Sequence, residues 1–264
     1  MADLTDQKSH FAFGENWRAF STMLDETRIR TAEQSVSDLA GAFRGKSFLD
    51  IGSGSGLFSL AAHRLGAERI LAVDVDPDSV ETTRRVLGDA GEVAHVSVFD
   101  LPAFTEERFD IVYSWGVLHH TGDMWRAIDC ASQMVGTGGR FIVALYEKTP
   151  LDGFWKAEKR FYTAMPRLIQ KTILGGYVVA HMAGRAVTLK NPFVHLRRNT
   201  RTRGMDIFHD MHDWLGGYPY ETTTRAELEP FMAARGFRLT RDKSVAVTKK
   251  GLMGTACSEF VFDR

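Results

Sequence analysis

The sequence predicts an α/β fold, a mostly parallel sheet layered between helices, on three observations. Short apolar runs recur at residues 48–51, 70–73, 96–99 and 109–114. Amphipathic segments, among them residues 57–65 and 79–87, alternate with them. The first run opens into a glycine-rich turn, Gly52-Ser53-Gly54-Ser55-Gly56. Such alternation is the pattern of βα units feeding a parallel sheet.

The elements follow in order. Over residues 15–43, Trp17, Phe20, Met23 and Leu24, then Val36, Leu39, Ala40 and Phe43, recur at spacings of three and four, which predicts a cap of one or two helices. Four strands and their helices occupy the stretch to residue 114. A helix over 123–135 and a fifth strand over 140–146, after Gly136-Thr137-Gly138-Gly139, complete this half. The alternation then breaks for about 75 residues, from Glu147 to Thr223. Within it Phe154, Trp155, Ala157, Phe161, Tyr162, Met165, Leu168 and Ile169 are helix-spaced, and residues 174–187 suit a second helix despite Gly175 and Gly176. We read a helical insertion over the C-terminal strand ends, where open α/β sheets bind ligands, with a dimerisation arm as the alternative. Its dense cations, Lys156, Lys159, Arg160, Arg167 and Lys171 among them, suit either a phosphate- or carboxylate-bearing substrate or a solvated face. A helix over 225–235 with Gly236 as its C-cap, and strands over 237–240 and 259–262, close the chain.

Composition sets bounds. With 264 residues, 44% of them apolar and 25% charged, the chain can bury a sizeable core. Lys+Arg and Asp+Glu balance at 33 each, so no net field draws it to nucleic acid or an anionic membrane, although a local basic patch is compatible with the balance. Cys130 and Cys257 are far apart without metal-ligand spacing and read as buried thiols. The N-terminus lacks a signal-peptide pattern and no apolar stretch is long enough to span a membrane. The expectation is a cytoplasmic protein, monomeric or homodimeric.

The turn carries the chemistry. Its spacing is D-x-G-x-G-x-G from Asp50, and Leu57 stands where a dinucleotide-binding turn has its third glycine. A carboxylate facing a ligand over this turn repels a pyrophosphate and attracts an ammonium or sulfonium centre; S-adenosylmethionine has both. Asp74, 22 residues after Gly52, ends the second run where an acid is needed for ribose hydroxyls. Asp76 and Asp78 suit helix capping beside Pro77 equally well.

With Asp100 ending the third run and Ser114-Trp115-Gly116-Val117-Leu118-His119-His120 following the fourth, the chain resembles the class I S-adenosylmethionine-dependent methyltransferases. The resemblance implies a three-layer Rossmann-like sandwich with a seven-stranded sheet closed by an antiparallel hairpin. It implies a cofactor-binding domain over 46–146 and 224–264, a helical cap over 1–45, and an insertion over 147–223 shaping the acceptor pocket. It implies cofactor contacts from Asp50, Gly52, Ser53, Gly54, Gly56, Asp74, Val75, Phe99, Asp100, Leu101, Ser114 and Trp115. Trp17 joins them because the aromatic segment 11–17 looks like one that folds back over the cofactor in some small-molecule members.

For the reaction, His209 with Asp210 or Asp213 is the first choice of general base, since a carboxylate-oriented histidine works near neutral pH. His119 is a second candidate, and one of the pair His119 and His120 would cap the following helix. His120, Trp155, Tyr218 and Tyr220 are candidate substrate contacts. A divalent metal on His209, Asp210 and Asp213 is an alternative, but no metal is assigned. The sequence lacks the Pro-Pro-aromatic segment usual for methylation of adenine or glutamine amino groups, and neither cysteine is placed for pyrimidine carbon methylation. The expectation is O-methylation of a small hydroxylated metabolite or sugar. A small-amine N-methyltransferase, a cofactor-binding scaffold and a nicotinamide-dependent oxidoreductase are the alternatives.

Overall fold

The computed structural model describes residues 11, 13–187, 207–244 and 257–264; for 15, 16, 181, 183–187 and 207–210 it describes the backbone alone. Seven strands form one sheet. In chain order they are β1 (Ser47–Ile51), β2 (Arg69–Asp74), β3 (Glu92–His95), β4 (Phe109–Trp115), β5 (Val135–Tyr146), β6 (Arg238–Lys243) and β7 (Cys257–Asp263). Their spatial order is β3-β2-β1-β4-β5-β7-β6. The first five run parallel, and β7 lies antiparallel between β5 and β6.

Strand alternation divides the core in two. Leu71, Leu49, Val112, Phe141, Phe262 and Leu239 stand in register across six strands. They pack on one side against α6 (Met124–Gln133) and α10 (Arg225–Ala233). The neighbouring row, Ile70, Phe48 and Ile111, faces α2 (Glu26–Ala40) and α3 (Leu57–Arg64) on the other side. The remaining helices are α1 (Phe13–Ser21), α4 (Pro77–Leu87), α5 (Leu101–Phe104), α7 (Asp152–Ala164), α8 (Arg167–Val187) and α9 (Ile207–Gly216).

The structure corrects several expectations. The third strand lies at 92–95, not 96–99. As a sheet edge it carries exposed Glu92 and His95, whereas Val96, Val98 and Phe99 lie past its end and feed the core; there apolar character marks burial rather than strand. The break between the insertion helices falls at Pro166, which holds Met165 extended, and α8 runs through Gly175 and Gly176. On α7 the buried face is Trp155, Lys159 and Tyr162, while Phe154 and Phe161 are exposed. The last helix starts at a Thr224–Glu227 capping box and ends on Ala234, so Gly236 forms a left-handed turn two residues beyond the cap.

Gly56 opens α3 at φ +75°, and a Cβ there would stand 3.0 Å from the Thr83 Cα of α4. Both the left-handed backbone and the close helix approach require glycine. Gly56→Ala is expected to cost about 1–3 kcal/mol, read as a lower urea midpoint at unchanged slope. An unshifted midpoint would show that α3 and α4 separate without cost.

Candidate active site

A cavity of about 510 Å³ opens at the C-terminal ends of the parallel strands. Asp50 from β1, Asp74 and Val75 from the end of β2, Trp115 from β4 and Tyr146 from β5 all reach its wall. Gly52, Ser53 and Gly54 form its floor. The turn is held by the neighbouring strand, because the Gly52 and Ser53 N–H groups donate to the Val73 carbonyl at 2.8 and 3.1 Å. At Gly52 (φ +77°) a Cβ would fall 2.4 Å from the Val117 side chain, so this position also requires glycine.

Two carboxylates dominate the electrostatics. Asp50 is buried and accepts the Ser59 hydroxyl at 2.6 Å. Burial pushes its pKa up to about 7, with the Ser59 hydrogen bond opposing and the charge of Asp74 adding. Asp74 accepts the N–H groups of Asp76 and Gly54, each at 2.9 Å. Burial raises it to about 6 against those two hydrogen bonds. Asp76 and Asp213 also line the cavity, and among its described lining residues there is no Lys or Arg.

The N-terminal segment covers this wall. The Asp76 carboxylate caps α4 through the Asp78 N–H and also accepts the Gly14 N–H at 2.9 Å, tying α1 across the turn. Trp17 lies against Gly54, where a Cβ would come within 3.2 Å of the indole. Phe11 donates its N–H to the Tyr218 carbonyl at 3.1 Å and packs with Tyr162 and Leu215. Thus α1 bridges the sheet to α7 and α9.

The opposite wall rests on a buried lysine. Lys159 is fully buried, donates to the Trp214 carbonyl, and lies 3.8 Å above the Trp214 ring. Burial lowers its pKa, with Glu158 opposing. It fastens α7 to the α9 turn that brings Asp213 and Trp214 to the cavity. The lysine read as part of a charged face is therefore an internal anchor.

The two histidines differ. His120 lines the cavity, and its Nδ1 lies 2.7 Å from the Pro219 carbonyl oxygen. A carbonyl only accepts, so Nδ1 carries a proton. His119 is fully buried behind it, its ring tilted against those of His120 and Tyr146 at centroid distances of 4.2 and 4.1 Å, with neither ring nitrogen hydrogen-bonded. Burial, then the charges of His120 and Lys159, hold its pKa well below the usual histidine range. Neither histidine caps α6; Asp123 and the Glu221 carboxylate do so instead.

Of the residues singled out in the sequence, Trp17, Asp50, Gly52, Ser53, Gly54, Asp74, Val75, Phe99, Trp115, His120 and Asp213 meet at this cavity. Others stand elsewhere. Gly56 packs on α4, and Ser114 ties β4 to β1 by donating to the Ile51 carbonyl at 3.1 Å. Because β3 ends early, Asp100 is exposed at the start of α5, Leu101 is buried in the core, and Ser97 takes a place on the wall. Trp155 and Tyr220 pack under Tyr146, and Tyr218 is buried behind the wall. The side chains of His209 and Asp210 lie outside the described residues, although their backbone belongs to α9. Among the described residues no three His, Cys, Asp or Glu side chains converge as a metal site. Sequence reasoning missed Tyr146, Val117, Trp214 and Cys257, all of which line the cavity. Tyr146 was findable as the last residue of a parallel strand; Cys257, set aside earlier, reaches the site because β7 pairs with β5 there.

An acid-rich strand-end cavity on this sheet order defines a Rossmann-like ligand-binding fold. Residues 49–143 match the family described as "Methyltransferase domain", and the fold is the Rossmann-like one that S-adenosylmethionine-dependent methyltransferases share. A 67-residue stretch is 45% identical to the ribosomal protein L11 methyltransferase of Sorangium cellulosum, covering 25% of this chain and 21% of that one. Another of 118 residues is 30% identical to the ubiquinone biosynthesis O-methyltransferase of Alkalilimnicola ehrlichii, covering 44% and 47%. The chain thus spans less than half the length of these curated relatives. Magnesium protoporphyrin IX methyltransferase from Synechocystis PCC 6803, solved with bound SAH, shares the fold with a TM-score of 0.53 at 15% identity, covering 95% and 93% of the two chains. An S-adenosylmethionine-dependent methyltransferase from Mesorhizobium loti gives 0.53 at 15%, covering 88% and 98%.

The acid pair makes stability depend on pH. Both folded pKa values exceed the ordinary carboxylate value of 3.8, so the folded chain holds these protons more tightly than the unfolded one. Their stabilisation is complete below about 3.8 and is lost as the pH rises through about 6 to about 7. Asp50→Asn is therefore expected to raise the Tm of the ligand-free protein most at pH above 7, and progressively less as the pH falls toward about 3.8. Equal shifts across this range would count against a neutral buried Asp50.

Proposed function

We propose that the protein transfers a methyl group from S-adenosylmethionine to the hydroxyl of a small, largely apolar acceptor, with His120 receiving the proton. One observation carries the reading: the cavity that holds Asp50 and Asp74 also holds a histidine whose Nδ1 is engaged by the Pro219 carbonyl. The donor set fits the cofactor, since the wall offers carboxylates and backbone to a cationic, hydroxyl-bearing ligand and no described Lys or Arg to a pyrophosphate. When bound, the cofactor supplies an electrophilic methyl carbon with an excellent leaving group.

The protein's own part is alignment, exclusion of water and removal of a proton. Asp74 is assigned to the ribose hydroxyls, and Asp50 with the Gly52–Gly54 backbone to the amino-acid end. Val75, Phe99 and Trp17 are assigned to the adenosine faces. The Pro219 hydrogen bond orients the His120 ring, and the ring is assigned to accept the acceptor's proton. α1 and the described helices of the insertion are assigned the role of lid, with Phe13, Tyr146 and Trp214 supplying apolar walls. An anionic acceptor has no described cationic partner there, which favours neutral substrates over phosphorylated ones. Amine methylation is the second reading, favoured by Asp213 beside the Trp214 and Tyr146 rings, a setting that attracts a cation.

Two variants test this. Asp74→Ala should weaken S-adenosylmethionine binding more than tenfold, about 1.4 kcal/mol, by calorimetry; unchanged affinity would remove Asp74 from the cofactor site, and preferential binding of NADH would reverse the assignment. His120→Asn, which keeps a donor toward Pro219, should lower turnover about 10²- to 10⁴-fold with cofactor affinity retained. Full turnover would eliminate His120 as the base.

A further inference from the structure

The outer face of the insertion is built unlike the rest of the surface. Of six large apolar side chains exposed on the described protein, five lie here: Phe154 (55% exposed), Phe161 (56%), Leu168 (78%), Ile169 (43%) and Val179 (67%). Phe154 and Phe161 are seven residues apart on α7 and so share one face. The same two helices expose Lys156, Arg160, Arg167 and Lys171. The two acids of α7 are engaged inward: Asp152 accepts from Thr149 and Thr222, and Glu158 pairs with Lys159. α8 contains none.

We propose that the α7–α8 hairpin docks on an anionic lipid surface, its aromatic and aliphatic side chains entering the interface and its cations meeting lipid headgroups. Bulky exposed apolar groups on helices that also expose long basic side chains suit a medium that is apolar inside and negative outside, since Lys and Arg stems can lie along an apolar zone while their heads reach the charge. A second copy of the chain suits it poorly. A two-fold interface sets a patch against itself, which would confront the exposed Lys156, Arg160 and Lys171 with the same residues of the second copy. No helix among the described residues is long and apolar enough to cross a membrane, so the contact is a surface one. The hairpin directly follows β5, whose last residue Tyr146 lines the cavity. The proposal does not depend on which acceptor the cavity takes.

Flotation of the full chain with vesicles provides the test. Vesicles of phosphatidylcholine mixed with phosphatidylglycerol should carry the protein upward, pure phosphatidylcholine should not, and added salt should release it. Phe161→Asp should abolish flotation. The double reversal Lys156→Glu with Arg160→Glu should lower the partition coefficient at least about tenfold. Both variants are checked for unchanged S-adenosylhomocysteine affinity, and the charge reversal, confined to solvent-facing side chains, decides the matter if Phe161→Asp unfolds. A wild-type protein that stays behind, one that binds neutral vesicles equally, or variants that float undiminished would overturn the proposal. So would a dimer that Phe161→Asp dissociates without any flotation, which would make this face a contact between copies.

Discussion

The structure depends on holding two carboxylates, Asp50 and Asp74, at the ends of adjacent parallel strands. Burial penalises both charges, and Coulomb repulsion adds to it, from Asp74 on Asp50 and from Asp76 on Asp74. The chain offsets this locally with the Ser59 hydroxyl and the N–H groups of Gly54 and Asp76. These donors exist only if the glycine turn bends back over Val73 and α3 starts immediately after it. The turn conformation, the α3–α4 approach at Gly56 and the acids are one constraint. A site that strains toward neutrality in this way is poised for a cationic partner, because such a charge removes the repulsion that folding alone leaves in place.

Closure of the cavity uses a different device. Asp76 extends the acidic edge outward and captures the Gly14 N–H, so the carboxylate that caps α4 also seats α1. From there Phe11 reaches α7 and α9 through backbone and ring contacts. On the far side Lys159 sits among Trp155, Trp214 and Tyr220. A charge buried this deeply is costly unless paired, and the Trp214 carbonyl, the ring faces and Glu158 are its compensation. That compensation is directional and fixes α9 against α7. The α7–α9 pair is thereby a packed support of the site wall.

Where sequence and structure agree, the physics is local. The strands around Asp50 and Asp74 are legible because a central parallel strand must be apolar on both faces and its terminal acid is conspicuous. Asp100 illustrates the failure: the Val96–Phe99 run is apolar because it packs beneath α6, and only long-range pairing shows that β3 has already ended. Phe154 and Phe161 fail for a related reason. Helical spacing identifies which residues share a face but not which face meets the core, and on α7 the decision falls to Lys159, whose burial no composition rule anticipates. His120 was placed at the site by its position after β4, yet its ring is oriented by Pro219, about a hundred residues later in the chain.

Net charge conceals the most consequential arrangement. Equal numbers of acidic and basic residues suggest a surface without electrostatic preference. In the fold the signs are segregated: the described cavity wall carries four aspartates and no Lys or Arg, while the exposed face of α7 and α8 carries cations without an exposed acid. Screening limits communication between exposed charges to about 8–10 Å, so each region acts by its own sign rather than by the molecular average. An acidic cavity selects against anionic ligands even though the nearby insertion is the most basic part of the sequence. The described cations of α7 and α8 are turned outward, except for Lys159, which is turned inward and already engaged. A neutral chain can in this way present opposite fields to a small ligand and to a large surface, and the balance of its composition is the sum of two separate specificities.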